Sequence, residues 1–395
     1  MEKSELVQLL SPEGLRLLDE LPDYGEVTDV VGAVSRLRAA GHAPALVAAV
    51  MSQSRLRRRA RNKFGEFAER MLFTEAGLEQ STRLTVAALH ARRFQDAGCR
   101  SVADLGCGIG GDALAFAALG LVVTAVERDE VTAAVASFNL APWDNARVVH
   151  GDAENFDVSD ADGVFLDPAR RTASKRLSNP ADWSPSLGFA FGLGERMPTG
   201  VKLGPGIDRG LIPENAEAQW VSMGGDVVEL GVWMGAVARP GIRRAALVIG
   251  ERDGATSSAE LTAAADSDDA PVGELGEFVY EPDGAVIRAR LIGDLARRLG
   301  ATMLSEDIAW LSSETRVDTP FAARFRVIES LPFDVRALKR LVAARGLGTL
   351  EIKKRGVDVD PAQLRAKLAP KGPNSATLIV TRVAGQRTVL LAERD

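Results

Sequence analysis

Cysteine is scarce: the 395 residues contain two, Cys99 and Cys107. They lie too close in sequence to staple a fold, so a disulfide-stabilised secreted scaffold is excluded and a reducing cytoplasm is the expected compartment. Histidine is almost as rare, at three residues, His42, His90 and His150. No Cys/His spacing of the zinc type occurs, which argues against a metal site. No long apolar run and no positive segment before an apolar core is present, so neither a membrane span nor a signal peptide is expected. Internal repeats are missing too. With 46% hydrophobic and 26% charged residues, the chain is neither disordered, collagen-like nor a coiled coil. Its length predicts two or three domains. A net charge of −6 weighs against nucleic acid as a partner only on average, since it leaves room for local basic patches.

The apolar pattern changes character along the chain. Residues 1–97 read as a helical domain, with Leu15, Leu18, Leu21 and Val30, Val34, Leu37 at helical spacing. Residues 98–250 alternate short apolar runs (Ser101 to Leu105, Val122 to Glu127, Gly163 to Leu166, Gly200 to Leu203, Val227 to Trp233, Ala245 to Ile249) with helical or loop segments. That alternation predicts an α/β fold with a mainly parallel sheet. Residues 251–273, rich in Ala, Asp, Ser and Gly, read as a linker or surface loop. Residues 274–395 mix strand-like runs with amphipathic helices, as expected of a further α+β domain.

The most informative stretch is Val102-Ala103-Asp104-Leu105-Gly106-Cys107-Gly108-Ile109-Gly110-Gly111-Asp112, a strand running through a glycine loop into a helix. Glycines at 106, 108 and 110 let the backbone turn sharply and approach a ligand where a Cβ would collide. The spacing is not the G-x-G-x-x-G of a dinucleotide site, and the lysine of a P-loop is missing. Asp-x-Gly-x-Gly-x-Gly resembles motif I of class I S-adenosylmethionine-dependent methyltransferases, implying a Rossmann-like core of seven strands and that cofactor. Glu127 ends the next strand, 23 residues beyond Asp104, where a carboxylate accepts both ribose hydroxyls; Asp129 is the alternative. Asp152 follows the third strand and is placed to accept from the adenine amine, with the Ala153 N–H meeting the ring; the alternative is a turn cap. The order of these landmarks carries the resemblance further than the loop alone, against a nicotinamide or other nucleotide site.

At the end of the fourth strand-like run, Asp167-Pro168-Ala169-Arg170 occupies the place that orients the acceptor. Base N-methyltransferases present Asn or Asp, two prolines and an aromatic there; this chain keeps the acid and the first proline. Asp-Pro-x-Arg is closer to RNA uracil-C5 methyltransferases, but those need a cysteine nucleophile, and Cys107 lies inside the cofactor loop while Cys99 precedes the first strand. The expected roles are therefore Asp167 for orienting an amine or ring N–H, with Pro168 shaping the motif and Arg170 or Arg171 meeting phosphate or a base edge. A turn cap and surface ion pairs are the alternative.

Two basic stretches flank this core. Arg55, Arg57, Arg58, Arg59, Arg61 and Lys63 precede Phe64, Phe67, Met71, Leu72 and Phe73, an order similar to the helical extension of trimethylguanosine synthase-like methyltransferases. That similarity makes Phe73 a lid candidate, with Phe64 and Phe67 expected in the core. Lys353, Lys354 and Arg355, the helical Pro361 to Leu368 and the run Ala376 to Arg382 resemble the THUMP-like domain of bacterial methyltransferases. Together the resemblances imply methylation of a base in tRNA or rRNA, tilted toward a guanine nitrogen, with RNA held through Arg57, Arg58, Arg59, Lys353, Lys354 and Arg355. A methyltransferase for a small molecule or protein, and an inactive RNA-binding module, are the alternatives.

Overall fold

The computed structural model describes residues 1–21, 27–169, 179, 182–252 and 255–395. The chain divides into two compact units, Met1–Leu203 with Val232–Ala238, and Gly204–Gly231 with Arg239–Asp395.

The first unit begins with helices Lys3–Leu9, Pro12–Glu20, Val27–Ala39, Pro44–Phe64, Glu75–Gln80 and Leu84–Asp96. Their starts are written locally. Ser11 caps one helix through the Gly14 N–H with Pro12 in its first turn, and Thr74 caps another through the Gly77 N–H, satisfying amides that otherwise lack partners. Strands β1 (Ser101–Leu105), β2 (Val122–Glu127), β3 (Ala146–His150), β4 (Gly163–Leu166) and β5 (Thr199–Leu203) follow. They are parallel, in the order β3-β2-β1-β4-β5. The order reverses direction between β1 and β4, the switch point beside which doubly wound sheets bind ligands at their carboxyl ends. The helices and this sheet share one hydrophobic core, running from Leu6 and Leu9 through Phe64, Leu72 and Phe73 to Phe94, Leu114, Phe116 and Phe165. Residue 97 thus marks a change of secondary structure, not a gap in the packing.

Two aromatic expectations separate here. Phe64 is buried as expected, whereas Phe67 is 42% exposed and stacks on Trp143 with ring centroids 6.2 Å apart. Phe67 lies in the 3-10 turn Gly65–Arg70, where helical periodicity no longer assigns a face.

In the second unit, β6 (Glu217–Met223) pairs in parallel with β8 (Arg244–Arg252), and β8 pairs antiparallel with β9 (Ala255–Ala263). β7 (Asp226–Met234) contributes its last residues to the first unit. The stretch read as a linker therefore contains a strand. Its Ala, Ser and Thr residues hide the strand signal because β9 is an edge strand and has few large side chains to bury. A second sheet follows, built from β10 (Phe278–Pro282), β11 (Thr302–Ser305), β12 (Ile308–Ser313), β13 (Ala322–Pro332), β14 (Leu347–Lys354), β15 (Asn374–Val383) and β16 (Gln386–Arg394). Its order is β11-β12-β10-β13-β16-β15-β14. Strands β14 and β15 are parallel, joined by the helix Pro361–Leu368 as parallel strands require. Leu338, Val342, Leu364 and Leu368 from the helices pack against Leu378, Val380 and Leu391 of the sheet. Among the described residues, no helix is long and apolar enough to cross a membrane, and no group of His, Cys, Asp and Glu has the arrangement of a metal site.

Candidate active site

The glycine loop lies at the switch point. Gly106, Gly108 and Gly110 have φ of 87°, 57° and 84°, the left-handed region where a Cβ is costly. The Gly106 and Cys107 N–H groups both donate to the Val126 carbonyl, at 2.9 and 3.0 Å, tying the loop to β2. Gly108 N–H donates to Glu127 Oε2 at 3.0 Å, and Asp129 N–H to Glu127 Oε1 at 2.9 Å. The geometry separates the two acids considered at this strand end. Glu127 sits against the loop, whereas the Asp129 carboxylate caps the helix Glu130–Leu140 through the Thr132 N–H at 2.9 Å. The Thr132 hydroxyl and amide also hold the Asp129 carboxyl below its ordinary range. Asp152 is exposed and accepts from the Glu154 N–H at 2.8 Å, capping the turn Ala153–Asn155; Ala153 is buried beneath it.

Asp104, at the end of β1, is 1% exposed. It accepts from the Ala113 N–H, while its Oδ2 has no hydrogen-bond partner. Burial, then the charges of Asp112 and Asp167, push its carboxyl well above the ordinary range against the opposing pull of Lys202. Cys107 is raised in the same way, by burial and then by Asp104 and Glu127, and burial raises Cys99 also. Both cysteines are buried, and burial disfavours the thiolate that a nucleophile requires.

A polar chain crosses the site. Lys202 of β5 lies 2.5 Å from Asp167 Oδ2 and donates to Thr82 Oγ1 at 2.9 Å. The Thr82 hydroxyl donates to Asp112 Oδ2 at 2.7 Å, and His90 Nδ1 lies 2.9 Å from Asp112 Oδ1. Burial alone would raise Asp112, but the His90 hydrogen bond and the charges of His90 and Lys202 bring it below its ordinary range. Behind the chain, the His90 ring contacts Phe165 and Trp233 at centroid distances of 5.1 and 5.6 Å. Lys202, Thr82, Asp112 and His90 were not found by sequence reasoning. The one available signal was a lysine inside the apolar run Gly200-Val201-Lys202-Leu203, a charge that burial permits only with a partner.

Asp167 is partly exposed, with its side chain at 37%, and Pro168 behind it is buried. Its carbonyl oxygen stands 3.8 Å from where a Cβ on Gly106 would lie, which puts Asp167 beside the glycine loop. Arg170 and Arg171 lie outside the described residues.

The basic helix contributes to this architecture more than to its surface. Lys63 Nζ donates to the Leu78, Glu79 and Ser81 carbonyls at 2.8, 2.8 and 2.7 Å, fixing the approach to Thr82. Burial and the charge of Lys202 lower its ammonium to about 8. Arg57 donates to the Met71 carbonyl at 2.9 Å and pairs with Asp19; Arg55 and Arg59 pair with Glu75, and Arg61 with Glu69. Arg58 is exposed. Phe73, the lid candidate, is fully buried and exchanges backbone hydrogen bonds with the Gln53 amide at 2.7 and 3.0 Å, so it is a fixed part of the core. In the second unit, Lys353 pairs with Glu281 at 2.7 Å and Arg355 with the same acid at 3.9 Å, while Lys354 is exposed.

A glycine loop at a switch point, an acid at the end of the neighbouring strand and a partly exposed acid beside the loop are the features of a doubly wound, cofactor-binding protein. The chain belongs to the S-adenosylmethionine-dependent methyltransferases. It is 34% identical over 357 residues, covering 88% of this chain and 95% of the relative, to an uncharacterized member of that family from Mycobacterium tuberculosis, with the same figures in a second strain. The crystal structure of a proposed methyltransferase from Porphyromonas gingivalis W83 superposes with a TM-score of 0.72, covering 94% of this chain and 99% of the other at 23% identity; the two share a fold. A THUMP domain-like family matches residues 322–394, which span β13 to β16, and a domain of unknown function matches residues 3–60.

The site fits the family's cofactor. Three left-handed glycines leave the loop backbone free of Cβ atoms where a methionyl group would lie against it, and the Glu127 carboxylate at the end of β2 is a hydrogen-bond acceptor beside that loop.

Proposed function

We propose that this methyltransferase acts on a base in tRNA or rRNA, with a guanine nitrogen as the favoured acceptor atom. In this reading Asp104, Gly106, Gly108 and Gly110 hold the methionyl end of S-adenosylmethionine, Glu127 the ribose, and Asp152 with Ala153 the adenine. Asp167, Pro168 and Arg170 face the acceptor. The observation that carries the reading is the partly exposed Asp167 carboxylate, anchored by the buried Lys202 ammonium beside the glycine loop. The THUMP domain-like match supports RNA as the acceptor class.

The sulfonium of the cofactor supplies an electrophilic methyl carbon and leaves as a neutral sulfide, so the protein's task is placement and removal of one proton. Lys202 pairs with Asp167 Oδ2, and in this reading the partly exposed carboxylate accepts an N–H of the incoming base, orienting its nitrogen for transfer. As nitrogen bonds to carbon, the N–H becomes acidic and its proton passes to Asp167 or to water. The chain Lys202, Thr82, Asp112, His90 holds that carboxylate in place.

Mass spectrometry of nucleosides from tRNA and rRNA of a deletion strain tests the proposal. One missing methylated nucleoside, restored by purified protein and not by Asp167→Ala, is the expected result. An unchanged nucleoside profile would turn the assignment toward a small-molecule or protein acceptor.

A further inference from the structure

The second unit contains a cavity of about 510 Å³ lined by Pro205, Ile207, Trp220 and Ile287 together with four arginines, Arg209, Arg288, Arg290 and Arg355, and, among the described residues, by no carboxylate. Arg209 and Arg355 have acidic neighbours, whereas Arg288 and Arg290 have none among the described residues, so cations at this opening are left to attract an anion, and arginine's planar fork suits phosphate oxygens. The cavity is also built, not an accident of long surface side chains. The Pro205 carbonyl accepts from Arg288 Nη1 at 3.0 Å and from the indole of buried Trp220 at 3.2 Å. Arg355 is half-buried, 6.0 Å from the Trp310 ring and 3.9 Å from Glu281. Arg209 reaches Asp266 only at 3.4 Å. Arg290 is exposed and has no carboxylate partner among the described residues. Its backbone has φ of 59°, at the position after a helix end where glycine is the low-cost residue.

We propose that this cavity is a phosphate-binding pocket that seats a phosphodiester of the RNA acceptor. The pocket lies mainly outside the segment matched by the THUMP domain-like family, and Arg355 alone among its lining residues falls within that segment. The proposal rests on the RNA reading for the source of the phosphate.

The test uses the full chain with Arg288→Gln and Arg290→Gln combined, fluorescein-labelled total bacterial tRNA, and pyrophosphate as a small probe. Each phosphate that the protein no longer neutralises lowers the slope of log affinity against log salt by about 0.7–0.9, so the double variant is expected to bind tRNA more weakly with a slope reduced by about 1–2. Arg288→Lys with Arg290→Lys is expected to restore most of the slope, and S-adenosylmethionine affinity is expected to stay within twofold, which separates pocket loss from misfolding. Wild-type binding of tRNA with an unchanged slope in the Gln variant overturns the pocket and leaves the RNA reading standing. Pyrophosphate binding that the Gln variant abolishes, without tRNA binding by the wild type, keeps the phosphate pocket and overturns the RNA source. Binding of neither probe overturns both.

Discussion

Replacing Lys202 with Met tests the centre of the site. The substitution keeps most of the side-chain volume but removes the cation that lies 2.5 Å from Asp167 and contacts Thr82 at 2.9 Å. Asp104, Asp112 and Asp167 then lose a cation that acts on all three. At an effective dielectric of about 20, a unit charge pair roughly 4 Å apart attracts by about 4 kcal/mol, but the Asp167 side chain is 37% exposed, so the cost falls between the about 0–1 kcal/mol of a surface pair and the about 3–5 kcal/mol of a buried one, at about 2–3 kcal/mol. For a unit of this size each kcal/mol moves the melting midpoint by about 2–4 °C, so calorimetry is expected to show a fall of roughly 4–12 °C. Lys202→Arg, which keeps the charge, is expected to recover part of it. The pH dependence carries a sign as well. Without Lys202 the carboxylates hold protons more tightly in the folded state, so the deficit is expected to shrink as pH falls from about 8 to 5, where protonation relieves their repulsion. A midpoint within about 2 °C of the wild type, or a deficit that stays constant on acidification, would refute the role given to Lys202.

Glu127→Ala removes the acceptor assigned to the ribose hydroxyls; hydrogen bonds to a charged group are worth about 1.5–3 kcal/mol, so calorimetric titration is expected to show S-adenosylmethionine affinity falling about 10–100-fold. Asp104 has a folded-state carboxyl raised above its unfolded value, so its contribution to stability is present below the unfolded value and lost as pH rises through the folded one. Asp104→Asn is expected to remove that component of the pH–stability curve while weakening cofactor binding, and a curve superposing on the wild type would show that the carboxyl titrates normally. Cys107, whose buried thiol is pushed well up, is expected to resist iodoacetamide at pH 8 in the folded protein and to react on denaturation; rapid native-state labelling, read by mass spectrometry, would contradict the burial argument.

Much of the first unit was legible because its signals are local. Strand β1, the glycine loop and the ends of β2 and β4 fall where the apolar runs placed them, since each is a short run closed by a turn. The polar chain through Lys202 and His90 was not legible, because Thr82 and Lys202 are 120 positions apart and only the folded sheet brings them together. Strand β6 was missed for a related reason. Its buried Glu217 breaks the apolar pattern and is satisfied by Arg239 at 2.6 Å, a pairing with no local signature. The arginine run was read correctly as a helix but not as a set of internal ties, since the partners of Arg57, Arg59 and Lys63 lie beyond the helix itself.

Asn139 gives the glycine loop an unusual dependence. Its amide donates to the carbonyls of Leu72 and Ile109 at 3.0 and 2.9 Å and accepts from the Leu72 N–H at 2.7 Å. A Cβ on Gly77 would collide with the Ile109 side chain, so the segment before the sheet is seated directly against the loop. The leading helices therefore cannot be trimmed away to give a minimal catalytic fragment: cutting at Gly98 would strand an amide with two missing partners and expose Leu114 and Phe116 to water. Insertions and fusion points belong elsewhere, and any shortened version of the enzyme must keep Leu72 and the helices packed around it.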